Sequence, residues 1–304
     1  MQLIDVHIHT NTHCNLQCIH CYESTEDAER MSLTKDFVIS LIQFLCKTYD
    51  ADIHLEGGEI FLEEHLITTL LDLDESVLRH LTITTNGTLR SQNSDTLRVL
   101  RSVGCLRVSV EGHTDFLHQA LRRCDLQTIL DNAHYYQNQG VPISLRLTLN
   151  ALNVESMFSE TIPTLEDKGF NRFQIYEMQP VGRGKTANIC IPERLDIFFK
   201  DWLRNPPKSN IKVSLPVRRR AESYEYLTRL KQVGVVAEDV ESVASVSIGT
   251  DGSVRVCPWD MTSEPLMSIK KDSIETLRNA VESQIIPHEC DFCSRIVLKG
   301  GSQC

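Results

Sequence analysis

Eleven cysteines stand in this 304-residue chain, and their spacing is the first chemistry it offers. Cys14, Cys18 and Cys21 fall within eight residues, while Cys257, Cys290, Cys293 and Cys304 fall in the last 48. Three thiols on one short loop can converge on a single polymetallic centre, and soft thiolates favour iron–sulfur, zinc or Cu(I). The count matters. A cubane held by three cysteines leaves one iron open to a non-protein ligand, whereas a structural zinc site is closed by four protein ligands. His20, inside Cys14-Asn-Leu-Gln-Cys18-Ile-His-Cys21, is available as that fourth ligand, so zinc stays open as the alternative. Near the other end, Cys257 closes a hairpin strand and Cys290-Asp-Phe-Cys293 forms a knuckle. With Cys304 these make four thiols, enough for one closed cluster or zinc site. Cys46, Cys105 and Cys124 are isolated among apolar neighbours, where cysteine is usually a small buried hydrophobe.

The elements that must position these thiols alternate. Strands are expected at Leu3 to His9, Ile53 to Leu55, Leu81 to Thr85, Leu106 to Val110, Ile143 to Leu149 and Arg172 to Glu177, with helical patterns between them. Strand–helix repetition of this kind implies a parallel sheet with right-handed crossovers. Six repeats predict an α/β fold, a partial (β/α)6 barrel of TIM type over residues 1–190. The rhythm then changes. Residues 191–242 are read as a helical connector and 243–304 as a small cysteine-bearing domain, with a hairpin turn at Thr250-Asp251-Gly252. Composition excludes several classes: 41% hydrophobic and 24% charged residues describe a globular chain. A net charge of −10, with no basic block longer than Arg218-Arg219-Arg220, argues against nucleic acid as a partner. No apolar run spans a bilayer and the N-terminus has no secretory pattern, so no membrane partner and a cytoplasmic, reducing location are expected.

The Cys14/Cys18/Cys21 spacing resembles the C-x3-C-x2-C signature of the radical S-adenosylmethionine (radical SAM) enzymes. Other stretches resemble that family in the same order: Gly57-Gly58-Glu59 after the second strand, Thr85-Asn86-Gly87 after the third, Ser109 on the fourth, Arg146 on the fifth, and Met178 to Gly184 after the sixth. The resemblance covers about residues 1 to 190. It implies that the three cysteines ligate a [4Fe–4S] cluster whose fourth iron binds S-adenosylmethionine. It further implies that Gly57, Gly58, Glu59, Asn86, Ser109 and Arg146 hold the cofactor, with Glu59 suited to its ammonium. The C-terminal segment resembles SPASM and twitch extensions. That implies one auxiliary [4Fe–4S] cluster at Cys257, Cys290, Cys293 and Cys304, although the upstream cysteine of a full SPASM domain is missing and Lys299 occupies another knuckle position.

By analogy with proteins bearing such extensions, the expected activity is hydrogen abstraction from a ribosomally made peptide. The chemistry would be crosslinking, epimerisation or another side-chain modification, with a flavodoxin- or ferredoxin-type electron donor and a separate peptide-recognition protein as partners. A radical dehydrogenase of a small sugar or amino-acid-derived metabolite is the alternative. Cys190 is the candidate hydrogen donor of an epimerase, and Glu177 and Asp260 are candidate bases. One rival motif remains. Asp5-Val-His7-Ile-His9-Thr10 resembles the first-strand metal motif of metal-dependent hydrolases, and period-two spacing puts both histidines on one side of a strand. The competing expectation is that they line the barrel as hydrogen-bonded residues.

Overall fold

The computed structural model describes residues 3–23, 30–191, 195–216, 226, 228–229, 236–240, 244–259, 264–270, 273–282 and 293–299. Strand β1 (Leu3–His9) leads through the cysteine loop to helix α1 (Lys35–Thr48) and β2 (Asp50–Glu56). Short helices α2 (Glu64–Thr69) and α3 (Glu75–Leu78) precede β3 (Leu81–Thr85), and α4 (Ser94–Ser102) precedes β4 (Cys105–Ser109). Helices α5 (Asp115–Arg122) and α6 (Leu126–Asn138) return the chain to β5 (Ile143–Leu149). A π-turn at Met157–Thr161 runs into α7 (Ile162–Asp167), followed by β6 (Arg172–Glu177), α8 (Gly184–Ala187), α9 (Leu195–Arg204) and β7 (Asn210–Pro216). The C-terminal part adds β8 (Val236–Val240), β9 (Ala244–Ile248), β10 (Ser253–Arg255), β11 (Met267–Ser268), α10 (Thr276–Glu282) and β12 (Cys293–Lys299).

Helix starts follow local chemistry. Thr34, Thr114 and Asp125 each accept a bond from the backbone N–H three residues on, satisfying donors that a first turn leaves unpaired. All six expected strands form, and one sheet runs in the order β11-β10-β9-β1-β2-β3-β4-β5-β6-β7-β12-β8. Two further parallel strands flank the six: β9 beside β1, and β7 beside β6. The segment read as a helical connector therefore holds α9 but also the strands β7 and β8. The alternation Ile211, Val213, Leu215 against Lys212 and Ser214 is what makes β7 a strand, because it buries one side. The expected Thr250-Asp251-Gly252 hairpin joins β9 to β10.

Each central strand has two unlike faces. Ile4, Val6 and Ile8, Ile53 and Leu55, Leu81 and Ile83, Leu106 and Val108, and Leu145 and Leu147 belong to one continuous apolar core with Leu41 and Leu45 of α1, Leu100 of α4 and Ile129 of α6. The alternate residues are polar, and the register sets them side by side: Ser247, His7, His54 and Thr82 in one row, Ser109, Arg146, Gln174 and Lys212 in another. The sheet curls around this polar face. Lys212 Nζ on β7 stands 3.8 Å from Asp52 on β2, and Arg146 on β5 stands 3.6 Å from Glu56 on β2, contacts that a flat sheet would forbid. The result is a partial barrel with a polar lumen.

Candidate active site

One cleft at the carboxyl ends of the strands gathers most of the expected residues. Cys14, Cys18, Cys21, Gly57, Gly58, Asn86, Ser109, Arg146, Glu177 and Met178 all line it, around some 860 Å³ of space open to solvent. Placement at strand ends is what lets loops carry chemistry without disturbing the core.

The cysteine loop is clamped from two sides. Gly58 packs against the backbone of His13 so closely that a Cβ there would lie 1.8 Å from the His13 carbonyl oxygen. On the far side, Gly182 has φ +55° and an added Cβ would lie 2.2 Å from the Tyr22 carbonyl oxygen. Arg183 then donates from its backbone to Cys21 O at 2.9 Å and from Nε to Cys18 O at 2.8 Å. The Pro-x-Gly-Arg-Gly segment therefore holds the loop in place as well as bordering the cleft.

The sulfurs have donors. Leu16 N–H lies 3.4 Å from Cys14 Sγ, Asn86 Nδ2 lies 3.8 Å from the same atom, and Arg122 Nη1 lies 3.9 Å from Cys18 Sγ. Burial pushes the Cys18 thiol up to about 12 despite the Arg122 guanidinium, and burial likewise raises Cys14. A bare thiolate is thus disfavoured here, whereas a metal-bound one is what such a site accommodates. The three sulfurs do not all lie within 4.8 Å of one another. Zinc at about 2.3 Å from each sulfur would draw them to about 3.8 Å from one another. Among the described residues, the group whose ligand atoms all come within 4.8 Å is instead Asp5, His7 and His54. A polynuclear cluster fits the three thiols. His20 lines the same cleft, with its Nε2 3.3 Å from Glu111 and its Nδ1 buried without a hydrogen-bond partner among the described residues. Burial would raise the Glu111 carboxyl, but His20 and Arg122 outweigh it and bring it down to about 2.

Three expected residues need a different account. Glu59 does not line the cleft: it is 1% exposed, and Thr85 Oγ1 (2.7 Å), Asn86 N–H (2.7 Å) and Phe61 N–H (3.1 Å) all donate to its carboxylate. It braces the end of β2 against the end of β3, which sets Gly57-Gly58 and Asn86 in place. Cys190 is absent from the cleft lining, and its neighbour Ile189 accepts from the Ala151 backbone N–H at 2.8 Å. Cys257 is buried at 2%, and the residues after it, Pro258 and Trp259, reach into the lumen beside Tyr176. Cys290, Cys304 and Asp260 lie outside the described residues, and Cys293 is placed by its backbone alone, opening β12 opposite Pro216.

The Asp5-x-His7-x-His9 motif does line the lumen. Asp5 accepts from His54 Nε2 at 2.8 Å and faces His7 Nε2 at 3.2 Å, while His9 bonds Glu23 and Ser247. Arg107 Nη2 lies 3.2 Å from His54 Nδ1 and can only donate, so the ring proton of His54 sits on Nε2 and points at Asp5. A nitrogen that carries a proton is closed to a metal ion. His54 is therefore closed to a metal in this arrangement, and the ring nitrogens of His7 and His9 meet Glu56, Asp5, Glu23 and Ser247, which matches the expectation of hydrogen-bonded barrel residues. Glu56, Tyr22, Tyr176 and Trp259, which also line the cleft, went unnoticed in the sequence. The available signal was the polar residue at every second position of each strand.

A model of the Radical SAM superfamily matches residues 8–159, half of the chain. The chain belongs to the radical SAM superfamily. Membership carries with it a [4Fe–4S] cluster and S-adenosylmethionine, the groups that the three-thiol cleft fits. A probable GTP 3',8-cyclase of Saccharolobus islandicus (strain Y.N.15.51 / Yellowstone #2) is 26% identical over 266 residues, 82% of this chain and 80% of that protein. A probable GTP 3',8-cyclase of Sulfurisphaera tokodaii is 26% identical over 306 residues, covering 93% and 92%. Among solved structures, AdoMet-bound anSMEcpe superimposes with a TM-score of 0.63 at 14% identity, over 92% of this chain and 82% of that one. Streptococcus suis SuiB bound to its precursor peptide SuiA gives a TM-score of 0.60 at 15% identity, over 87% and 62%. These two likenesses show the fold. No described helix is long and apolar enough to cross a membrane.

Proposed function

We propose that this radical SAM enzyme abstracts hydrogen from a peptide substrate seated between the cysteine loop and the Tyr176–Trp259 wall. The observation that carries the reading is the charge of the cleft. Its two lining arginines are already matched, Arg122 with Glu111 at 2.9 Å and Arg146 with Glu56 at 3.6 Å, and Glu177 adds a further carboxylate. A nucleoside triphosphate needs an excess of cations, and the described lining offers none. A peptide does not. The peptide-bound state of SuiB supports the same reading. The second reading, a nucleotide substrate, is favoured by the names of the curated relatives.

When bound, the cluster and S-adenosylmethionine supply a 5'-deoxyadenosyl radical. The chain's part is positioning. Cys14, Cys18 and Cys21 would hold the cluster, and Arg122 and Asn86 would offset charge on two of the sulfurs. Gly57 and Gly58, packed against the backbone of Asn11 and His13, would hold S-adenosylmethionine together with Asn86, Ser109 and Arg146, which line the same cleft. Glu59 acts by fixing the glycines. Tyr176 and Trp259, edge to face with ring centroids 6.2 Å apart, would wall the lumen side of the substrate. An auxiliary cluster at Cys257, Cys290, Cys293 and Cys304, fed by a flavodoxin- or ferredoxin-type donor, would complete the electron path of a C-terminal 243–304 unit.

The test is anaerobic reconstitution followed by dithionite, S-adenosylmethionine and either GTP or a peptide translated from a reading frame beside the coding sequence. Peptide-dependent 5'-deoxyadenosine together with a dehydrogenated or crosslinked peptide mass is the expected result. Stoichiometric GTP consumption, with no change in the peptide, would install the nucleotide reading instead.

A further inference from the structure

Below the cleft, three ionisable residues on two neighbouring strands form a chain that the cofactor-binding residues do not need. Glu56 ends β2 and lines the cleft. Its Oε1 meets His7 Nδ1 in a short contact, and its Oε2 faces Arg146 at 3.6 Å. The other ring nitrogen of His7, Nε2, lies 3.2 Å from Asp5 Oδ2. Asp5 Oδ1 in turn accepts from His54 Nε2 at 2.8 Å, and His54 Nδ1 accepts from Arg107. All five side chains of this line are buried, at 9% exposure or less.

The chemistry follows from what each atom can do. Ionised carboxylates only accept, so a ring with a carboxylate oxygen at each nitrogen fills both contacts as the doubly donating imidazolium. The groups around the pair are His9, Arg146, Arg107 and Tyr22 on the Glu56 side, and His54, Asp52 and Lys212 on the Asp5 side. We infer that Glu56 is the base of the radical reaction, and that His7, oriented by Asp5, is the positioning residue that keeps it ionised and aimed at the cleft. The step balances as follows. After hydrogen abstraction the substrate radical loses one electron to an iron–sulfur acceptor, and its acidic X–H bond breaks. The bonding pair stays on the substrate, and the proton forms an O–H bond on Glu56. The resulting neutral carboxyl leaves the His7 imidazolium paired with the Asp5 carboxylate, while Arg146, 3.6 Å from Glu56, favours return of the proton once product leaves. Burial would raise the Glu56 carboxyl, but His7 and then Arg146 outweigh it and hold it well below the usual range. The base is therefore ionised at any working pH. The inference rests on hydrogen abstraction in this cleft, and not on whether the substrate is a peptide or a nucleotide.

Two measurements test it. The first needs no substrate: ¹⁵N spectra of the histidine rings in the purified full chain. Two ring protons on His7, one facing Glu56 and one facing Asp5, falling to one in Asp5→Asn, are expected. A His7 ring with a single proton in the unsubstituted chain would overturn the inference. The second uses whichever of GTP or the peptide supports turnover, and reads product formed per 5'-deoxyadenosine. Glu56→Gln should lower that ratio by about 100-fold, the scale of a lost general base. Asp5→Asn should lower the ratio together with the loss of one His7 ring proton in the spectra, a paired change that a merely structural Asp5 would not produce. An unchanged ratio in Glu56→Gln, with loss in Glu177→Gln, overturns the assignment in favour of Glu177. If neither GTP nor the peptide turns over, the functional reading fails separately, and the ring spectra still decide the state of His7.

Discussion

The two faces of the sheet are made by alternate residues of the same strands, yet they obey different rules. On the helix side, Ile4, Val6, Ile8, Ile53 and Ile83 are fully buried and interchangeable in kind, because burial of apolar area has no direction. On the lumen side, Asp5, His7, His54, Glu56 and Arg107 are just as buried, but each depends on a particular neighbour. A buried charge without its partner is costly, so the lumen tolerates only matched sets. Parallel sheets covered on both sides are usually apolar throughout. Here one side is reserved for chemistry.

Substitutions can break or sharpen this contrast. The largest effect is expected at the mouth of the lumen: Cys18→Ala should abolish 5'-deoxyadenosine formation and remove the iron bound at the loop. Iron analysis beside the activity assay checks both, while thermal unfolding of the iron-free chain should change little. On the opposite face, Ile53→Ala should cost about 2–5 kcal/mol in denaturant unfolding, with iron content and cleavage retained by the fraction still folded.

Glu111 sharpens the contrast through pH. Its carboxyl drops from an ordinary 4.5 to about 2 in the folded chain, with burial opposed by His20 and Arg122. A depressed acid stabilises the fold above its unfolded value, and that stability is lost as pH falls through the folded one. The difference is worth on the order of 3 kcal/mol, lost between about pH 4.5 and about pH 2. Glu111→Gln should flatten that part of a stability–pH curve measured by denaturant titration. The smallest effect is expected at Thr84, whose buried hydroxyl has no hydrogen-bond partner among the described residues. Thr84→Val should leave stability within about 1 kcal/mol of the parent, since no bond is lost with the hydroxyl. A large loss there would mean that lumen positions cannot be treated one partner at a time.

Much of the scaffold was legible in the sequence. Leu3–His9, Leu81–Thr85, Ile143–Leu149 and Arg172–Glu177 form strands with the expected bounds, because β-branched runs between turn residues specify them locally. Helix α5 went unread: its eight residues carry too short a period, although Thr114 caps it. Strand β7 was hidden behind the Pro206-Pro207 breaker, and β9 was assigned to a separate unit because nothing local shows that it pairs with β1. At the site, the three cysteines, the two glycines, Asn86, Ser109 and Arg146 line one cleft, so their convergence is legible from their places at strand ends. The role of Glu59 was not legible, because a carboxylate's partners are chosen by the approach of β3, 26 residues away at Thr85.

Residue order alone therefore determined which thiols can share a centre, which runs become strands, and the superfamily to which they belong. These are properties of spacing and periodicity along one chain. Only the tertiary structure decided that every second strand residue faces a shared polar lumen, that Glu59 is a brace, and that His7 lies between Asp5 and Glu56. Those outcomes depend on the curl and register of the sheet, which set lumen residues from β2, β4, β5 and β7 within a few ångströms of one another.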